Sequence, residues 1–588
     1  MRKILSEQIR EAFSELYHQA PEHSQIVINR TRKEYQEDMT LVLFPLLKLT
    51  KESPTSTGDN IGKYLKNKAN IISDFKVVNG FLNLKLTDQI WVKLFDETAQ
   101  DYKVRRIDTK QKPVVIEYCS PNTNKPLHLG HIRNCLVGRA VANLYRATGR
   151  PVKTVQVIND RGVHICQSML AWKRYGNGET PESSNLKGDH LVGKYYVRFS
   201  EQHKAQQQAL QQEGMSEEDA RTQAPIYQEA QEMLKAWERG DPEVRSLWGK
   251  LNQWVYSGFD QTLAKLGITF DKNYYESETY EKGKKLVLEG VKDKIYEQKE
   301  DGSIWIDLSE DGLDSKLLLR KDATAVYITQ DIATAVIRYK DYEFDQMIYT
   351  VGNEQEYHFQ VLFKVLKKAG YKWASRLHHL SYGMVVLPSG KMKSREGTVV
   401  DADDLIESMI AESRRKTQEL GKADHLDDNE AKMLHETLAL GALNYWMLKV
   451  EAKKDMLFDP EKSIDFTGNT GPFIQYAYAR IQSILRKSNQ THHDKGAVVL
   501  DEKEKNLVYM LSLYQDTVLE AANAKDPSHL ANYLYDLVKV FNNYYHDVPI
   551  LNLKDNAIIA WRLTLIDKIA RVIQAGMSLL GCKVPARM

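Results

Sequence analysis

The stretch from 113 to 158 constrains the fold more than any other part of this sequence. Residues 113–118, Pro-Val-Val-Ile-Glu-Tyr, form a short apolar run with the character of a buried strand. A polar loop, 119–130, follows. A helical pattern then runs over 131–148, with apolar positions at Ile132, Cys135, Leu136, Ala140, Val141, Leu144 and Tyr145 and with Gly149 as its stop. Residues 152–158 make a second strand. Strand, helix and strand within about 45 residues is the βαβ unit of a nucleotide-binding parallel sheet. Later runs at 325–328, 346–351 and 381–387 are expected to extend that sheet.

The loop of this unit carries its chemistry: Glu117-Tyr-Cys-Ser-Pro-Asn-Thr-Asn-Lys-Pro-Leu-His-Leu-Gly-His131. Two histidines flank a Leu-Gly pair where the loop opens the helix. A helix N-terminus favours anions, and Gly130 lets a ligand lie against the backbone. His128 and His131 can donate hydrogen bonds to phosphate oxygens whose charge changes as phosphorus becomes five-coordinate. That combination suits ATP. Far downstream, Gly390-Lys-Met-Lys-Ser-Arg-Glu-Gly-Thr398 offers three cations between glycines. Such a loop can move and can present its cations to an anion.

Charge and cysteine usage narrow the class. The 588 residues hold 81 Lys+Arg against 79 Asp+Glu, a net charge of +2. This excludes a highly basic chromatin-type protein but suits a large enzyme whose basic faces are local. Four cysteines, at 119, 135, 166 and 582, form no C-x-x-C pair, so a structural zinc site is not expected, and no other residues are singled out as metal ligands. So few cysteines in so long a chain indicate reduced thiols and a cytoplasmic setting. The N-terminal residues lack the apolar core of a signal peptide. No run reaches the ~18 apolar residues of a membrane span.

Three domains are expected. Residues 1–110 read as an α+β unit: a helix from Ile4 to Tyr17, β-like runs at 25–29 and 76–86, and a loop over 51–59, which is rich in Ser, Thr, Pro and Gly. Residues 111–401 form the α/β Rossmann-like domain, interrupted at about 180–265 by a helical insertion in which Ser216-x-x-Asp219 marks a helix start. Residues 402–588 are almost purely helical in pattern, at 403–421, 429–449, 473–488, 502–524, 529–545 and 557–580, which predicts an all-α bundle.

H-x-G-H after a first sheet strand, with a mobile lysine-rich loop downstream, resembles the class I aminoacyl-tRNA synthetases. The fuller string Ser-Pro-Asn-x-x-Lys-Pro-Leu-His-Leu-Gly-His looks like the arginyl family. The resemblance implies activation of arginine with ATP to arginyl-adenylate and transfer to the 3′ end of tRNA(Arg) in protein biosynthesis. Mg²⁺ would come as the ATP complex, with tRNA(Arg), ATP and L-arginine as partners, no membrane, and a monomeric enzyme. It places ATP on His128, Gly130, His131, Met392 and Ser394, with His128, His131, Lys125, Lys391 and Lys393 catalytic. The family's second loop lysine is replaced here by Ser394, so either the loop lysines or Lys125 supply the charge for pyrophosphate. Tyr327-Ile-Thr-Gln-Asp331 matches a Tyr-x-x-x-Asp element. If a helix has begun by Tyr327, both side chains share a face, and a carboxylate at Asp331 accepts a guanidinium fork. Gln355 matches an arginine-pocket glutamine, and Glu117 and Asn122 match further polar contacts. Asn159-Asp160-Arg161-Gly162 lies where a doubly wound sheet binds ligands. The bundle start, 468–481, and the chain end, 581–588, are similar to the family's anticodon-binding domain. There Tyr476, Tyr478, Arg480, Tyr544 and Tyr545 mix aromatics and cations, with Tyr476 and Arg480 the tRNA candidates. Asn79-Gly-Phe-Leu-Asn83 looks like the family's additional N-terminal domain, with Phe81 and Asn83 as D-loop contacts.

Overall fold

The computed structural model describes residues 2–32, 34–98, 108, 110–388, 400–422, 426–488 and 499–588. The chain forms two compact units.

The smaller unit comprises Met1–Tyr102, Ile481–Thr517 and Tyr535–Ile573. Its strands β1 (Ile28–Arg30), β2 (Met39–Val42), β3 (Ile72–Val78) and β4 (Phe81–Leu86) pair antiparallel in the order β1-β2-β4-β3. The run expected as one strand over 76–86 is a hairpin. Asn79 and Gly80 both take positive φ, 47° and 81°, the geometry that two-residue hairpin turns require. The segment expected as a loop over 51–59 instead starts the helix Pro54–Asn67. Its Ser and Pro are helix-start chemistry: the Ser53 side chain accepts the Ser56 N–H and Pro54 opens the first turn. Phe95 packs on Trp561 with ring centroids 4.6 Å apart, so the N-terminal segment and the late helices share one core.

The larger unit comprises Lys103–Arg480, Val518–Leu534 and Gln574–Met588. Its strands are β5 (Val114–Glu117), β6 (Val152–Ile158), β7 (Lys272–Tyr275), β8 (Glu297–Gln298), β9 (Ile304–Ile306), β10 (Lys316–Leu319), β11 (Gln346–Gly352) and β12 (Leu377–Tyr382). β12-β11-β5-β6-β7 form an all-parallel sheet. The chain winds from β5 outward through β6 and β7, then returns to the other side of β5 for β11 and β12. This order puts a topological switch point between β5 and β11, where α/β sheets bind ligands. β5 is buried along its whole length, as a central parallel strand must be. Residues 325–328 do not join this sheet. Ala325 bridges only to Leu319, and Val326 hands over to the helix Tyr327–Tyr342. The stretch expected at 381–387 divides between β12 and the pair Val385–Val386, which lies parallel to Met456–Leu457.

The insertion is helical as expected: Gly188–Gln212, Glu217–Gln223, Pro225–Glu238 and Pro242–Lys265. Ser216 caps its helix by accepting the Asp219 N–H at 3.1 Å. After residue 400 come the helices Ala402–Glu419, Asp428–Leu448, Gly471–Lys487, Glu502–Ser512, Tyr514–Ala524, Ser528–Asp547 and Asn556–Leu579. The single helix expected over 502–524 is therefore two. The chain end is pinned by Asn444 and Gln475, whose amides donate to the carbonyls of Gly581 (2.7 Å) and Lys583 (2.8 Å). Among the described residues no helix is long and apolar enough to cross a membrane.

Candidate active site

β5 ends at Glu117, and the loop after it runs past the carboxyl end of β6, where Asn122 bridges Asn159. It then enters the helix Leu129–Ala147. His128 caps this helix. Its Nδ1 accepts the Gly130 N–H at 3.1 Å, while the His128 N–H donates to Nδ1 of His131 at 3.1 Å. The rings lie 3.9 Å apart. Both Nδ1 atoms being acceptors, each neutral ring carries its proton on Nε2 and offers it as a donor. Burial, aided by the nearby Lys125 ammonium, pushes the His128 imidazole down to about 4 and the His131 imidazole well below its ordinary value. The pair is thus neutral at physiological pH.

This arrangement alters the expected role of the helix start. The Gly130 N–H is spent on His128 and the Leu129 N–H on the Val400 carbonyl. The groups of this loop left with N–H donors to offer include the imidazole Nε2–H groups, with the Lys125 ammonium nearby. A Cβ at Gly130 would stand 3.0 Å from Cε1 of His128, so the ring would have to give by a few tenths of an ångström to accommodate any side chain there. The strand-like residues around His128 pair with Asp401, and the Ala402 N–H donates to the Leu127 carbonyl. Lys391, Met392, Lys393 and Ser394 lie outside the described residues.

A second cluster gathers on the helix Tyr327–Tyr342. The helix has begun at Tyr327, so Tyr327 and Asp331 share a face. Tyr327 is 69% exposed. Asp331 Oδ2 accepts a hydrogen bond from Nε2 of His358 at 2.6 Å, and the charge of Asp331 holds that imidazole above its ordinary value. Gln355 precedes His358 by one helical turn, exposed at the carboxyl end of β11. Glu276, which sequence reasoning did not single out, opens the helix Glu276–Lys292 after β7. Burial pushes its carboxyl up to about 7, opposed by the Arg161 guanidinium and a hydrogen bond from Gln330, and reinforced by the like charges of Asp160 and Asp331. The two helices touch closely: a Cβ at Gly283 would stand 2.6 Å from the Thr329 carbonyl oxygen.

Supporting contacts explain the rest of the Asn159–Gly162 turn. Buried Asp160 accepts from the Ser277 N–H (2.9 Å), the Ser277 hydroxyl (2.7 Å) and the Tyr256 hydroxyl (2.9 Å), fastening β6 to the start of the Glu276 helix. Arg161 pairs with Glu238 of the insertion and lies 3.5 Å from the Tyr280 ring centroid. Glu117 is likewise engaged: its carboxylate pairs with fully buried Arg338 and accepts the Ser120 hydroxyl at 2.8 Å. Two residues just past H-x-G-H also escaped the sequence reading. Asn134 accepts the Cys119 N–H and donates to the Thr350 carbonyl (2.8 Å), joining the β5 loop to β11. Arg133 donates to the carbonyls of Gly383 (2.7 Å), Met384 (3.1 Å), Ala452 (3.1 Å) and Lys454 (2.7 Å).

The remaining candidates have local surroundings of their own. Phe81 is 38% exposed and meets Phe44 edge-on, whereas Asn83 is buried and its Oδ1 accepts the Thr40 hydroxyl at 2.7 Å. Tyr476 carries the Lys422 ammonium 3.3 Å and the Arg480 guanidinium 4.7 Å from its ring centroid. Tyr478 and Tyr544 are buried, and Tyr545 is exposed.

Comparison with known proteins matches this architecture end to end. Residues 3–86 fit the arginyl tRNA synthetase N terminal domain, 94–460 the tRNA synthetases class I (R) catalytic domain, and 474–588 the DALR anticodon binding domain. The chain is 51% identical over 580 residues to an arginine–tRNA ligase of Bacteroides thetaiotaomicron, covering 97% of each. It is 49% identical to that of Flavobacterium psychrophilum, covering 100% of each. The arginyl-tRNA synthetase of Thermus thermophilus superposes with a TM-score of 0.79 at 26% identity, covering 100% of both chains. The neutral H-x-G-H pair at the switch point of a parallel sheet, the flanking domains and these similarities together place the chain in the arginyl-tRNA synthetase family of class I.

Proposed function

We propose a division of labour among these residues in the reaction of an arginine–tRNA ligase, which activates arginine with ATP and passes it to tRNA(Arg). Asp331 and Glu276 receive the substrate guanidinium, with Tyr327 and Gln355 beside them, and Glu117 and Asn122 make further polar contacts to the amino acid. The observation that carries this reading is a carboxylate pair on two tightly packed helices at the carboxyl end of the sheet, one member buried deeply enough to stay partly protonated until a cation arrives. The guanidinium is such a cation: its five fixed N–H donors can satisfy two carboxylates at once. His128 and His131 donate their Nε2–H groups to ATP phosphate, assisted by Lys125. The loop residues Lys391, Met392, Lys393 and Ser394 complete the nucleotide site. Magnesium enters with ATP, whose phosphates hold it without a dedicated protein cage.

Positioning and charge stabilisation suffice for both steps, and no covalent enzyme intermediate is needed. The tRNA is held by residues 1–110 through Phe81, with buried Asn83 fixing the strand beneath it rather than touching the tRNA, and by residues 402–588 through Tyr476 and Arg480. Catalysis belongs to 111–401 with its insertion at about 180–265. The enzyme works as a monomer in the cytoplasm. Asp331→Asn tests the amino-acid assignment. Loss of a charged hydrogen-bond partner should raise the KM for arginine about 10- to 100-fold, with the KM for ATP nearly unchanged. An arginine KM and turnover equal to wild type would show that another acid binds the substrate.

A further inference from the structure

The carboxylate assigned to the guanidinium is already occupied. Asp331 is held at 2.6 Å by His358, which lies on the helix Glu356–Lys368 behind β11. We propose that His358 is the positioning residue of the arginine pocket: its Nε2–H holds one edge of Asp331 for the incoming guanidinium, and its protonated form gives up its proton when arginine neutralises that carboxylate.

The geometry supports this in three ways. A carboxylate can only accept, so His358 must donate from Nε2, and that bond fixes the Oδ2 edge of Asp331 and leaves Oδ1 for an incoming fork. The His358 ring lies edge-on to Phe359, which in turn stacks on His379 at 4.5 Å. The charged groups facing His358 are Asp331 on the facing helix and His379 on β12, which is itself flanked by Glu354 and Glu356. Of these, Asp331 is the one that bonds it and stabilises its protonated form. Once arginine neutralises Asp331, that stabilisation is lost and the proton leaves to solvent. Glu276 gains a counter-ion in the same event, so the pocket exchanges one internal cation for the substrate.

This inference rests on Asp331 as the guanidinium carboxylate, and the tests separate the two. In the full-length enzyme, His358→Gln keeps an N–H donor and should retain the arginine KM within about threefold. His358→Ala should raise it about tenfold, as expected for a lost bond to a charged group, while kcat and the KM for ATP stay near wild type. NMR of histidine-labelled enzyme, with the His358 signals assigned by their absence in His358→Gln, should show the midpoint of their titration falling by about a unit or more when arginine is added. A midpoint unmoved by arginine, or an arginine KM in His358→Ala within twofold of wild type, overturns the inference. If Asp331→Asn leaves the arginine KM unchanged, the pocket assignment itself fails. If Asp331→Asn raises it and the midpoint does not move, only the role of His358 fails.

Discussion

At the scale of single residues, the H-x-G-H pair and Lys125 form one electrostatic unit. Lys125 stands three residues before His128, and its charge helps keep both imidazoles neutral. Neutral rings with Nδ1 committed to backbone N–H groups are fixed donors that need no reorganisation as charge moves onto pyrophosphate. Lys125→Ala should therefore cut the single-turnover rate of adenylate formation about 100- to 1,000-fold, the cost of removing one preorganised donor, with ATP affinity nearly unchanged. The sign of a second effect follows. A lysine that disfavours imidazolium is gone, so the His128 pKa should climb from about 4 toward its ordinary value, and the acid limb of the rate profile should move to higher pH. Lys393→Ala should do less. If it is instead the more damaging change, the downstream loop supplies the charge. His128, His131 and Asp331 were legible because each sits in a short contiguous pattern. Glu276 was not, since it meets Arg161 of the 159–162 turn only in the folded sheet, at the ends of different strands. His358 stood inside the stretch 351–358, but nothing in its spacing says that it bonds a residue on another helix.

Among elements, reading errors came where local composition and tertiary context disagree. The Ser-, Thr-, Pro- and Gly-rich segment 51–59 has a loop's composition, yet Ser53 and Pro54 are placed to begin a helix, and position outweighs composition. Residues 325–328 have strand-like side chains but no sheet edge to join, and the Thr329 hydroxyl bonds the Leu318 carbonyl instead. β7 is a four-residue edge strand, Lys-Asn-Tyr-Tyr, too polar to announce itself. The Arg133 fork ties the site helix to segments far along the chain. It fastens the H-x-G-H helix to Gly383 and Met384 just past β12 and to Ala452 and Lys454, and burial pushes its guanidinium down to about 10. A lysine retains the charge but cannot reach four carbonyls from a planar fork. Arg133→Lys should thus strand buried acceptors at a cost of about 1–3 kcal/mol, lowering the thermal midpoint and the adenylation rate together. A variant with wild-type thermal stability would mean that the fork does not hold these elements in place.

For the whole molecule, the two units contribute differently to an experiment on tRNA binding. Removing residues 1–110 would strip Phe95 from Trp561, and with it the Lys568 ammonium that lies 3.8 Å from the Phe95 ring, and would take Arg30 from its place over Tyr509. The late helices of the same unit would lose part of their core, so a truncated enzyme would report on folding rather than on recognition. A point change avoids this. Phe81 sits at the start of β4 with 38% of its surface exposed, and its neighbour Phe44 is 54% exposed. An apolar pair left in water, one ring on the β-hairpin and the other on the turn after β2, suits stacking against an unpaired base, which is worth about 1–3 kcal/mol per base. Asn83, two residues on, is already bonded to Thr40 and fixes the strand beneath the ring. Phe81→Ala exposes little new core, so the fold should survive with its circular dichroism intact. The KM for tRNA should rise about 5- to 100-fold, while the KM values for arginine and ATP stay at wild-type levels. A tRNA KM unchanged in the folded variant would show that this hairpin does not touch the nucleic acid, and would leave tRNA binding to the helices that follow residue 402.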